Sequence, residues 1–437
     1  MVSEARSDAI GSERQRDDVK GSHLELSGGV RRWAFVIGAG IFATTLAQSQ
    51  SLSLPLRNLL NNDLRVPLPE ISLFFGIAAI PWYLKIVIGI FSDSIPFFGT
   101  LRRNYVLLGA TMAGGLWLVA GYARGSYPSL LATITAMEAM LVVGSTVVGG
   151  ILVEVGQRLD AAGWLVGARM FVEGGCAVVA GPLAGMLAGM PFGVAAGVGG
   201  LIAFSMAPIA FLRLREPATA KYEVSAVADA WRELRLILGS RLIWLAGAFI
   251  FVASIPQAFP TALWDYQKKV MHFSDATIGL LLGVGGAGIA LAGVIYGFVY
   301  RLMPLRALLA LGIVGSAIGS FGYLFYWSLP AAIAIDGANG FLTTLWVVAM
   351  MEMAAWVAPG AAAAAGFALL MGATNAGSAL GDYLSANLVE RDMLRLPGVA
   401  VLYAALTLLM VAVVPMLPQP LFGTRGTKAS DGTEVAT

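Results

Sequence analysis

The sequence predicts an all-α polytopic membrane protein, with twelve transmembrane helices in two six-helix halves and both termini in the cytoplasm. Three observations lead there. Of 437 residues, 58% are hydrophobic and 12% charged, against about 45–50% and about 25% in soluble domains. So few charges cannot cover a water-facing surface, which excludes a soluble enzyme. Twelve apolar blocks follow one another, each near the roughly 20 residues that cross a bilayer. Of the 28 Lys and Arg, 19 fall on the face shared by the termini, seven on the opposite face and two inside spans, which by the positive-inside rule sets the orientation.

In chain order, residues 1–30 are polar, mixed in charge and without an early apolar stretch, so they read as a disordered cytoplasmic tail with no signal peptide. The N-terminal half, 31–212, holds blocks near 33–53, 70–92, 104–122, 128–153, 161–187 and 191–212. Residues 213–241 form a charged cytoplasmic linker. Trp231, Leu234 and Leu238 share one helical face and Arg232, Glu233 and Arg235 take others, as in an interfacial amphipathic helix; a solvated linker is the alternative. The C-terminal half, 242–418, holds blocks near 243–263, 276–299, 307–326, 329–355, 362–387 and 396–417, and 419–437 form a second cytoplasmic tail.

An offset of 198 residues maps Gly99 to Gly297, Arg103 to Arg301, Glu138 to Asp336 and Glu154 to Glu352. The first two pairs border the loops after spans 2 and 8, and the others share spans 4 and 10. A parallel six-plus-six repeat of this kind is the major facilitator architecture, with its substrate site near the midplane between the halves.

Charges inside spans need a partner or water, because each costs at least about 2.5–3.5 kcal/mol at the bilayer centre. Glu138 lies about ten residues into span 4, roughly 15 Å deep at 1.5 Å per residue, and Asp336 is similarly placed on span 10. Either they are protonated acids held by packing, or they bind substrate and carry protons; their equivalent positions favour function. Arg169 and Glu173 share one face of span 5 at i and i+4, as an ion pair that fixes the helix, or as a proton-coupling Glu173 beside an Arg169 that anchors an anion. Lys85 on span 2 either snorkels to the interface or binds substrate. Gln48, Gln257 and Asn375 either line a cavity or bond between helices. Glu154 and Glu352, near cytoplasmic span ends, pair with Arg103 or Arg301 as an inner gate. Gly181-Pro182-Leu183-Ala184-Gly185 permits close helix approach.

The stretch Ile80-Pro81-Trp82-Tyr83-Leu84-Lys85, then Gly89, Ser92-Asp93-Ser94 to Gly99, and Arg102-Arg103-Asn104-Tyr105, resembles the folate–biopterin transporter family, a branch of the major facilitator superfamily. Pro304-Leu305-Arg306 after Gly297 and Tyr300 is similar to its span 8–9 loop. Pro359-Gly360 with Phe367 to Leu370 and Asn375 is similar to its span 10–11 region. The resemblance covers about residues 53–388 and points to Pro81, Lys85, Asp93, Gly99, Arg103 and Asn375. Asp93 fits a gate, capping span 2 and pairing with a loop arginine. Two departures stand out: Ser145 and Gly149 where the family tends to place acids, and Ala363 and Ala365 where it tends to have glutamate and threonine.

The resemblance implies proton-coupled import of a folate- or pterin-like organic anion. Glu138 or Asp336 would meet the amino-pyrimidine edge, Arg169 or Lys85 a carboxylate, and Trp82 would stack on the flat ring. The departures motivate another substrate or export as the alternative, and a non-transporting assembly factor on the same scaffold is a third reading. With no Walker loop and with two His and one Cys, neither ATP-driven pumping nor a metal or other cofactor is expected. The expected partners are the small-molecule substrate, protons and the lipid bilayer of an inner or plasma membrane. Nucleic acid is not among them, and oligomerisation is not required.

Overall fold

The computed structural model describes residues 30–85, 87–88, 97–100, 102–158, 162–214, 224–299, 302–357 and 363–422. The proposed tails, 1–30 and 419–437, therefore lie outside the described residues except at Val30, which begins a helix, and at Gln419–Phe422, a 3-10 turn that buries Leu421 and Phe422 against the C-terminal half. Those described are helical apart from short connections and one isolated antiparallel bridge, Phe97 to Thr100. Helix is what a lipid-facing chain requires, since every backbone N–H and C=O must be satisfied within its own segment.

Nine helical segments among the described residues are long and apolar enough to cross a membrane. In the first half they fall on α5 (Arg103–Ala123), α6 (Tyr127–Arg158), α7 (Ala162–Ala188) and the pair α8 (Phe192–Phe204) and α9 (Met206–Arg213). In the second half they fall on the pair α11 (Arg241–Ser254) and α12 (Pro260–Lys269), then α13 (Asp275–Val299), α14 (Leu305–Phe321), α15 (Leu329–Val357) and α17 (Leu396–Val413). Three predicted spans are not among the nine. The first is broken into α1 (Val30–Leu46) and α2 (Ser53–Asn58), with one π turn after it. The second is broken into α3 (Leu68–Ala78) and α4 (Ile80–Tyr83). The eleventh is the long α16 (Ala363–Glu390), which carries Asn375, Asp382, Asn387 and Glu390.

Two boundaries differ from the hydropathy reading. The first crossing does not stop near 53 but resumes as helix to Asp63, because side chains satisfy the backbone at its break. Trp117 Nε1 donates to the Ala47 carbonyl at 2.8 Å, Gln48 Nε2 to Thr44 at 3.1 Å and Ser51 Oγ to Thr45 at 2.9 Å. The seventh extends past 263 to Lys269. Its polar last turn is neutralised by Lys269–Asp265 at 2.6 Å and Lys268–Asp275 at 2.7 Å.

The first helix of each half is interrupted: α1–α2 across residues 47–52, and α11–α12 across the 3-10 turn Ile255–Gln257. The halves meet along two seams, α7 against α13 and α3 with α4 against α16. In the first seam the helices touch through glycine. A Cβ on Gly181 would lie 2.3 Å from Gly283 N and 2.4 Å from Gly279 O, and one on Gly286 would lie 2.4 Å from Ala177 O. In the second, Gly76 faces Ala379 and Gly372 faces Tyr83. The contacts named in both seams lie in the half of each helix away from the 213–241 linker or near its middle.

Within that linker, α10 (Val224–Gly239) buries Ile237 against the C-terminal half and leaves Trp231 58% and Leu238 46% exposed. An apolar stripe facing away from the protein suits a headgroup interface. Brominated lipids are expected to quench the native protein's fluorescence more than that of Trp231→Phe; equal quenching would mean the helix lies in water.

Candidate functional site

A cavity of about 280 Å³ lies where the interrupted helices of the two halves face each other, at the small end of ligand sites. Gln48, Ser49 and Gln50 from the first break, Arg57 from α2, Trp82 and Tyr83 from α4, and Glu138 from α6 line it from one half. Ala258, Pro260, Asn375, Ser378 and Asp382 line it from the other. Spans 1, 2 and 11 thus contribute most of its polar wall.

Glu138 is 2% exposed, and its carboxylate joins three spans. Oε1 accepts the Ser49 N–H at 2.7 Å, a backbone donor freed by the break in span 1. Oε2 accepts the Trp82 indole N–H at 2.7 Å. The face of the same indole lies 5.5 Å from Lys85 Nζ, so Trp82 separates the cavity from a cationic cluster behind it. There Lys85 donates to Ser145 Oγ at 3.1 Å, and Arg169 Nε pairs with Glu173 Oε1 at 2.9 Å. The charges of Arg169 and Glu173 both act on Lys85. Arg169 and Glu173 are each about one-third exposed and line a smaller pocket with Thr45 and Ser145. Lys85, Arg169 and Glu173 are therefore together, but beside the cavity.

Asp382 is the buried acid that lines the cavity from the other half. Its Oδ1 accepts the Thr261 N–H at 2.8 Å, and its Oδ2 accepts the Thr261 hydroxyl at 2.6 Å and the Ser72 hydroxyl at 2.7 Å. The carboxylate thereby caps α12, whose first N–H groups have no intrahelical acceptor, and ties α3 of the first half to α16 of the second.

Two predicted residues lie elsewhere. Asp336 is not among the cavity-lining residues: Tyr323 and Tyr326 donate to its two oxygens at 2.9 and 2.7 Å, and Gln267 donates to Tyr326 at 2.6 Å. Gln257 accepts from Ser316 and donates to Thr407 within the C-terminal half. Asn375, Gln48 and Trp82 do line the cavity. Sequence reasoning missed Arg57 and Asp382. Asp382 was an acid within a predicted span and so could have been noticed; Arg57 fell in what hydropathy reads as a loop.

Among the proposed gate residues, Asp93 and Arg301 lie outside the described residues, and the Glu154 side chain is not described. Arg103 lies 5.0 Å from the Phe211 ring, and Tyr296 donates to Glu352 at 2.6 Å. Before Arg103 the chain turns through Gly99 at φ 81°, a left-handed conformation suited to glycine. Asn104 closes that turn by donating to the Phe97 and Phe98 carbonyls.

The BT1 family model matches residues 48–424. Over 395 residues the chain is 25% identical to a folate-biopterin transporter from Synechocystis sp., covering 83% of this chain and 76% of that protein. Three solved structures share the fold. The nucleoside transporter NupG has a TM-score of 0.69 at 11% identity, covering 88% of this chain and 98% of its own. A bacterial homologue of the human lysosomal transporter Spinster has 0.65 at 14%, covering 90% and 97%. A D-xylose–proton symporter has 0.64 at 13%, covering 90% and 99%. With the family model spanning most of the residues and these helices in a major facilitator arrangement, the chain is a multi-pass membrane transporter and belongs to the BT1 family, that of the folate–biopterin transporters.

Proposed function

We propose that the chain moves a folate- or pterin-like organic anion by proton-coupled alternating access, with both termini in the cytoplasm. The observation that carries this reading is the buried Glu138 carboxylate at the wall of an interhelical cavity, bonded to the break of span 1 and to Trp82 of span 2. A proton on Glu138 removes negative charge and an acceptor site from those two bonds, so its protonation state bears directly on helices that must move. Flat aromatic substrate would stack on Trp82, while a second lone pair on each Glu138 oxygen accepts from an amino-pyrimidine edge. Rocking of the halves about the α7–α13 and α3–α16 seams would expose the cavity alternately. A folate-biopterin transporter among the relatives supports the substrate class.

In proteoliposomes, folate uptake is expected to rise as the outer solution is acidified, and Glu138→Gln is expected to abolish that dependence while retaining folate counterflow. Uptake by Glu138→Gln equal to the native protein at every pH would overturn proton coupling through this residue.

A different substrate is the second reading. Lys85 meets Ser145 rather than an acid on span 4, so its charge is less neutralised than the family pattern implies. Absence of any competition by excess folate against transport would favour that reading.

A further inference from the structure

We infer that Arg57 anchors a carboxylate of the transported molecule, which would make the cavity two-ended: a cation at one wall and the Glu138 acceptor at another. The inference rests on the proposed transport of an organic anion and adds the group that recognises its charge.

Arg57 is 3% exposed and lines the cavity, yet its Nε has no hydrogen-bond partner. Its guanidinium stacks on Phe75, 5.2 Å from the ring centroid, which holds the planar fork without using its N–H donors. The counter-charge that acts on it, Asp382, does so only through space, and the hydrogen bonds that Asp382 accepts come from Thr261 and Ser72. A buried guanidinium that lacks a bonded anion is costly, and an arriving carboxylate supplies the bidentate partner its geometry fits.

The other interior cations are worse placed. Lys85 is bonded to Ser145 behind Trp82, and Arg169 is paired with Glu173. Among the described residues, Arg57 is the cation that lines this cavity. The six-residue α2 sets Arg57 beside the cavity, with Ser53, Leu54, Pro55 and Leu56 buried along with it.

The test is ligand-induced thermal stabilisation of the purified full chain by folate, by p-aminobenzoylglutamate (the carboxylate-bearing tail) and by biopterin (a ring without carboxylate). Ligand that binds the folded state raises its apparent stability by mass action. Arg57→Gln is expected to weaken folate and p-aminobenzoylglutamate by roughly tenfold or more, the scale of a lost charge-assisted bond, and to leave biopterin unchanged. Arg57→Lys should recover part of the loss. On the native protein, which needs no variant to fold, folate dimethyl ester should bind as weakly as folate binds Arg57→Gln. Equal folate affinity in native protein and Arg57→Gln, or full affinity for the ester, overturns the inference. Native protein that binds biopterin but no carboxylate overturns Arg57 as an anchor and leaves pterin transport standing. Binding of the tail without any pteridine supports Arg57 and overturns the pterin substrate; binding of none overturns both.

Discussion

Gly181→Leu is expected to prevent the two halves from closing and to leave the protein aggregated or inactive after extraction. The Cβ alone would stand 2.3 Å from Gly283 N, 2.4 Å from Gly279 O and 2.9 Å from Leu282 C. All three are backbone atoms of α13, so no rotamer change relieves the overlap, and the helix as a whole would have to move. Overpacking of a core ordinarily costs about 1–3 kcal/mol, and a clash with backbone belongs at or above the top of that range. The control lies in the same protein. A Cβ at Gly115 or Gly193 meets nothing within 4 Å, and alanine is the better helix former. Gly115→Ala and Gly193→Ala should therefore match the native protein in fluorescence-detected size exclusion and in transport, while Gly181→Leu fails in both. A monodisperse, active Gly181→Leu protein would show that the α7–α13 seam is not packed as described.

The second large effect is expected at Asp382. Replacing it by leucine leaves the Thr261 N–H, the Thr261 hydroxyl and the Ser72 hydroxyl without their acceptor. Losing an acceptor from a buried donor costs about 1–3 kcal/mol for each, and the three share one carboxylate, so their sum is not additive. A total of about 3 kcal/mol or more is expected. Because the Ser72 bond crosses between halves, the loss is directional: the end opposite the linker should open. With the native Cys176 replaced by serine, Ala379→Cys should react slowly with an impermeant thiol reagent added on that side, and faster once Asp382→Leu is added. An unchanged rate would remove Asp382 from the closure between halves and leave it the cap of α12 alone.

These residues show what could be read without coordinates. Glu138 stands out because it is the single acid in a long apolar run, and a run of that length has one plausible geometry. Glycine spacing in Gly181 to Gly185 likewise announces close helix approach, and α13 supplies the partner glycines. Arg57 was invisible for a physical reason. Hydropathy averages over a window, and Arg57 sits between the polar break at Gln48 to Ser51 and the run Asn58 to Asp63. The window therefore sees a loop where side chains have stitched a helix together. Asp336 and Gln257 had two readings in the sequence, and the structure places both away from the cavity, bonded within the C-terminal half. Depth in the membrane can be counted from a span end, but which way a helix turns its polar residue depends on neighbours. Tyr323 and Tyr326 capture Asp336 within its own half, and nothing in the local pattern shows that.

The polar wall also bears on how the chain is made. The first and second spans are broken, and the first, second and eleventh carry polar groups, where they meet the cavity. A segment partitions into lipid on its own only when its apolar residues outweigh its polar ones, and a charged group at depth counts heavily against it. In the proposed function, residues such as Arg57 and Asp382 would thus tie binding to biogenesis. Helices that carry them are expected to depend on earlier or later helices to be retained in the bilayer, so substitutions there should also change how efficiently the nascent chain is integrated.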